Sequence, residues 1–108
     1  MTPIYGGLPN DNTAAISNDG ILLLSMNSTV YLYDIKKDSI LYPNESLTLR
    51  NAFGLSNASY FDPKVIYDNK LDRFVMVFLK DKFPSNNEIM VGFSKTNNPI
   101  DGWNVYSL

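Results

Sequence analysis

The chain has no cysteine and no histidine among its 108 residues. The first absence excludes disulfides, thiolate nucleophiles and thiolate-bound metal. The second removes the commonest general base and the commonest zinc ligand. Any metal held here would be a hard, oxygen-ligated ion such as calcium. Positive charge is scarce too: nine Lys and Arg stand against eleven Asp and Glu, for a net charge of -2. That balance leaves no basic footprint for nucleic acid, and the pair Lys36-Lys37 reads as a solvated turn rather than a phosphate site. Long apolar runs are missing as well. The run Ile21 to Leu24 is far below the ~20 residues a spanning helix needs, so no membrane insertion is expected. The opening MTPIYGGLPND lacks the basic and apolar regions of a secretory signal.

What is present is a globular composition, 44% apolar and 19% charged, in a chain long enough for one core. Short β-rich runs alternate with turn formers. Residues 1–10 read as an irregular lead-in. Ala14 to Ser17 reads as a strand, Asn18-Asp19-Gly20 as a tight hairpin turn, and Ile21 to Met26 as a return strand apolar on both faces. Thr29 to Asp34 is rich in β-branched and aromatic residues, and Ser39 to Tyr42 is a weak fourth strand. Residues 43–60 form a connection in which Ser46 to Leu49 reads equally as a helical turn or as an extension of the sheet. Phe53 and Tyr60 pin that connection to the core.

A second unit follows over residues 61–108. Asp62-Pro63 opens it, Lys64 to Tyr67 is a short strand, and residues 68–72 form the turn. Arg73 to Leu79 returns with Phe74, Met76 and Phe78 on one face and Val75, Val77 and Leu79 on the other. Glu88 to Phe93 and Trp103 to Leu108 complete four strands. The first unit, residues 11–42, is a fainter copy of the second. Asp11 aligns with Asp62, Ala15 to Asn18 with Ile66 to Asn69, and, after a two-residue insertion, Ile21 to Leu24 with Phe74 to Val77. Two four-stranded units with a period of about 50 residues fit consecutive propeller blades. A single eight-stranded sandwich or barrel is the alternative.

The run FDPKVIYDNKLDRFVMVFL followed by EIMVGFSKTNNPIDGW resembles blades of secreted bacterial β-propellers of the sialidase-like or BNR-repeat kind. Asp62-Pro63, Tyr67-Asp68, Arg73-Phe74, Ser94, Thr96, Pro99 and Gly102-Trp103 carry the resemblance, which spans residues 11–108. It implies an all-β chain of two four-stranded antiparallel blades from a larger secreted or cell-surface protein. Its partners would be the rest of its own propeller and a glycan or protein. Ser94 to Trp103 is also loosely similar to the sialidase Asp-box, with Asp101 later than that spacing requires. Such boxes fold a turn away from the active site, so Ser94, Asp101, Gly102 and Trp103 read as structural.

Two site hypotheses remain. In five-bladed glycosidases an Asp-Pro at an inner strand can supply the general base, which makes Asp62, and Asp11 at the matching place, catalytic candidates for a two-carboxylate hydrolysis. The simpler reading has Asp62 capping a turn in every repeat. The arginine triad of sialidases is missing, with only Arg50 and Arg73 present; Arg73 is expected to pair with Asp68 or Asp72. Asp68, Asn69 and Asp72 could form a calcium turn, although their ligand density is that of a solvated turn. Tyr31, Tyr33 and Tyr67 are assigned to inter-blade packing. No cofactor other than calcium is implied. The expected role is non-catalytic binding or scaffolding; a glycoside hydrolase using Asp62 is the alternative.

Overall fold

The computed structural model describes residues 12–26, 29–41, 47–48, 60–81 and 88–108. Those residues form two antiparallel sheets. Sheet A contains β1 (Asn12–Ile16), β2 (Ile21–Met26), β3 (Thr29–Asp34) and β4 (Ser39–Ile40) in that order, with β5 (Leu47–Thr48) also on β3. Within the segment Ser46 to Leu49, the described residues Leu47 and Thr48 extend the sheet rather than coil; Ser46 and Leu49 lie outside the described residues. Sheet B contains β6 (Tyr60–Asp68), β7 (Arg73–Lys80), β8 (Glu88–Ser94) and β9 (Trp103–Ser107). Within β1–β4 and within β6–β9 each strand pairs with the next, as short polar turns between β-rich runs dictate.

Period-two alternation decides which side chains are buried. In β3 the pattern is regular: Val30, Leu32 and Asp34 are buried while Thr29, Tyr31 and Tyr33 are half-buried. Strand β7 buries Phe74, Met76 and Phe78 completely and leaves Val77 exposed. Full burial of one such side chain contributes about 1.5–3 kcal/mol, so this face of β7 is the centre of the core. Tyr60 joins it edge-on to Phe78, with ring centroids 5.9 Å apart. The core is continuous across the sheets, from Leu23, Val30 and Leu32 to Val65, Met76 and Trp103.

The sheets approach most closely where β1 and then β2 lie against β6. The backbone N–H of Val65 donates to Thr13 Oγ1 at 3.1 Å across this junction. Thr13 shares its face with Ala15, Ser25 and Leu23, whereas Val65 shares its face with Met76 and Gly92.

The ladders correct the alignment of the two units. Ile16 pairs with Leu22, and Tyr67 pairs with Phe74. The N–H of Ile21 points toward β1, at Ser17, whereas the N–H of Phe74 points away from β6, at Ser94 of β8, so Leu22, rather than Ile21, is the counterpart of Phe74. The first hairpin spans Asn18 to Gly20, closed by Ser17 and Ile21; the second spans Asn69 to Asp72, closed by Asp68 and Arg73. One residue is inserted, not two. Because a slip of one residue exchanges the faces of a strand, the correction matters. The buried face of sheet A (Leu23, Val30, Leu32) is equivalent to the solvent face of sheet B (Val75, Val91, Phe93). The two sheets thus stack front to back in the same sense, not as mirror-like faces.

Candidate functional site

The turns of the two sheets gather at one end. The first hairpin turn holds its shape through Ser17, whose Oγ accepts from Ile21 N at 3.0 Å, and through Gly20 at φ 85°, a value that favours glycine. It is a three-residue loop, one longer than the tight two-residue turn expected for Asn18-Asp19-Gly20. Ile35 N donates to Gly20 O at 2.9 Å, bringing the β3–β4 turn alongside.

Two of these turns are built from one local code, Tyr-Asp-x-Lys-x-Asp, at Tyr33 to Asp38 and at Tyr67 to Asp72. In each, the first Asp caps the turn by accepting backbone N–H groups. Asp34 Oδ1 accepts from Lys37 N at 3.1 Å, and Asp68 Oδ1 from Lys70 N and Leu71 N at 3.0 and 3.1 Å. In each, the last Asp lies in the left-handed region, Asp38 at φ 50° and Asp72 at φ 56°, which Asp tolerates better than most residues. The Tyr hydroxyl then donates to that Asp, Tyr33 to Asp38 and Tyr67 to Asp72. The repeated hexapeptide was the available signal; alignment of the longer units passes over it because its copies lie in non-equivalent turns, β3–β4 and β6–β7.

The second copy is joined to its neighbours. Asn97, in the β8–β9 turn, donates through Nδ2 to Asp72 Oδ2 and to Asp19 Oδ2, both at 2.9 Å. Asp19 belongs to sheet A, so one amide ties three turns and two sheets together. The hydrogen bond from Tyr67, that from Asn97, and the Arg73 charge hold the Asp72 carboxyl below its usual range, against some desolvation. Desolvation and then the bond to Asp72 push the Tyr67 hydroxyl above its usual range. Tyr67 also packs on its cross-strand neighbour Phe74 within sheet B, ring centroids 5.2 Å apart, half-buried against the core. Tyr31 and Tyr33 instead lie half-buried on the far face of sheet A.

The β8–β9 turn is self-supporting. Asn98 Oδ1 caps a short 3-10 turn, Pro99–Asp101, by accepting from Ile100 N, and Thr96 Oγ1 donates to Asp101 Oδ2. Gly102 at φ 107° closes it. Ser94 is buried, and its Oγ accepts from Phe74 N at 2.8 Å; Trp103 is buried on the face of sheet B that meets sheet A. These four residues of the box-like segment have the structural placement expected of them.

The remaining candidates divide. Asp62 is exposed at φ 53°, beside a register shift between Phe61 and Lys64. It does not precede the strand: β6 begins at Tyr60, and Asp62 is the residue of a bulge within it, followed by the fully buried Pro63. Bulges re-aim side chains and sit often beside active sites, and Asp enters the left-handed region more readily than most residues. Six residues of extended strand, about 20 Å, separate it from the Asn97 cluster. Asp11 lies outside the described residues. Of the calcium-turn candidates, Asp68 and Asp72 carry the bonds above, and Asn69 is exposed in the same turn. Among the described residues no group of three or more acidic side chains converges on a metal position. Arg73, expected against Asp68 or Asp72, donates from Nη1 to the carbonyls of Leu71 and Asp72 at 3.3 and 2.8 Å. None of the helices among the described residues is long and apolar enough to cross a membrane.

Comparison with known proteins finds no matching family model, no similar curated protein and no similar solved structure.

Proposed function

We propose that the chain is two consecutive blades of a β-propeller in a secreted or cell-surface bacterial protein, serving as a non-catalytic binding or scaffolding segment for a glycan or protein partner. The observation that carries the reading is the front-to-back stacking of two equivalent sheets, closest along their first strands β1 and β6. Blades around an axis repeat in that sense, each set against its neighbour without a change of face. The turn end carrying Asp19, Asp72 and Asn97 is satisfied internally and serves as framework. The opposite end, with Asp62 exposed on its bulge, is the end available to a ligand.

The exposed Asp62 on its bulge favours one second reading, a glycoside hydrolase in which this carboxylate lines the funnel. Glycan-array binding and hydrolysis of fluorogenic glycosides, measured on the protein and on Asp62→Asn, separate the two. Retained glycan or protein binding with no turnover supports the binding role. Turnover that Asp62→Asn abolishes supports the enzyme, and turnover that survives the substitution removes Asp62 from catalysis.

A further inference from the structure

We propose that a second copy of this chain docks on the free face of sheet B, through the back of its own sheet A. The inference rests on the stacking geometry alone and not on the binding role or the ring. Within the chain, the front of sheet A is already covered by the back of sheet B. Among the described residues the equivalent front of sheet B is exposed, and it carries two cross-strand apolar rows, one ended by Asn104 and the other by Lys64. Ile66, Val75 and Phe93 form one row; Val77, Val91 and Tyr106 form the next. Ile66 is 64% exposed, Tyr106 55%, and Val77 and Phe93 40% each. Phe93 and Tyr106 pack edge-on across the strands at 6.1 Å, which fixes the relief of the patch. Exposed apolar side chains grouped on one sheet face mark a contact surface.

The matching surface is in the same chain. The back of sheet A, with Leu22, Leu24, Tyr31 and Tyr33 half-buried, is equivalent to the back of sheet B, where Phe74 and Met76 are fully buried. The molecule therefore displays both halves of a junction it has already made once internally. A partner offering that back is a second copy of itself, with its β1 set against β6 as in the internal junction. The contact is heterologous, head to tail, so it propagates until a ring closes. Lys64 occupies the place equivalent to Thr13, so the new junction lacks the hydrogen bond that Thr13 accepts from Val65. It is accordingly the weaker of the two, and concentration-dependent.

Sedimentation velocity over a concentration series tests this, using Val77→Lys to spoil the front of sheet B and Leu24→Lys to spoil the back of sheet A. The parent chain is expected to rise in mass with concentration, and each variant alone to stay monomeric. An equimolar mixture of the two variants retains one intact junction and is expected to give a one-to-one dimer that goes no further. A parent chain that stays monomeric at millimolar concentration overturns the proposal. So does a variant pair in which only Val77→Lys blocks association and mixing restores nothing, the signature of a two-fold front-to-front dimer. Far-UV circular dichroism and a cooperative melt check each variant. If either fails to fold, Phe93→Lys or Tyr31→Lys on the same face takes its place.

Discussion

Asn97 Nδ2 lies 2.9 Å from Asp19 Oδ2, across 78 residues of sequence and from one sheet to the other. The same amide nitrogen reaches Asp72 at the same distance, so a neutral donor is shared by two carboxylates that would otherwise repel. Asn97→Ala is expected to lower the thermal midpoint, because both acceptors lose a charge-assisted bond. Asn97→Asp should lower it further, since a third carboxylate replaces the donor. Differential scanning calorimetry at neutral pH ranks the three proteins. Equal midpoints for Ala and Asp would remove electrostatics from the role assigned to Asn97.

The pH profile of stability should have a limb from each end of the Tyr67–Asp72 pair. Asp72 is held below its usual range in the fold, so the stability it confers is present above the unfolded value near 3.9 and is lost as pH falls through the lower folded value. Tyr67 is pushed up, so its contribution is present below about 10 and is lost as pH rises through the folded value. Tyr67→Phe should abolish the alkaline limb. It should also move the acid limb toward higher pH, because the foremost stabiliser of ionised Asp72 is gone. Urea midpoints across the pH range read both effects.

Neighbouring residues in β7 should respond oppositely to truncation. Met76 is fully buried and Val77 is 40% exposed. Met76→Ala is expected to cost about 2–5 kcal/mol, and Val77→Ala no more than about 0.5 kcal/mol, both at concentrations too low for association. Urea unfolding of the two variants measures the contrast. Comparable losses would show that both faces of β7 are core.

Strand existence was legible in the sequence because each β-rich run is bounded by Asn, Asp, Gly or Pro. Ile21 to Met26, Thr29 to Asp34 and the β7 run were read close to their observed limits for that reason. The partition of Phe74, Met76 and Phe78 from Val75, Val77 and Leu79 follows from period two alone. The alignment of the hairpins was not legible, since the number of residues in a turn depends on backbone geometry. Ser17 and Ile21 close the first loop through a hydrogen bond and a left-handed glycine that composition does not reveal. The extent of β6 was missed for a related reason. Pro63 and the left-handed Asp62 look like the head of a strand, yet a bulge lets pairing resume between Phe61 and Leu79. The inter-sheet role of Asn97 lay beyond local reading altogether, because its acceptors are supplied by two distant turns.

The contact between Thr13 and Val65 has one further effect. Strand β6 is the outer strand of its sheet, and the free N–H groups of such a strand are a template on which foreign strands can polymerise. By taking up the Val65 N–H, the Thr13 hydroxyl occupies a hydrogen-bonding position that an invading strand would need. A threonine placed to hold two sheets together thereby also closes one hydrogen-bonding position on that border.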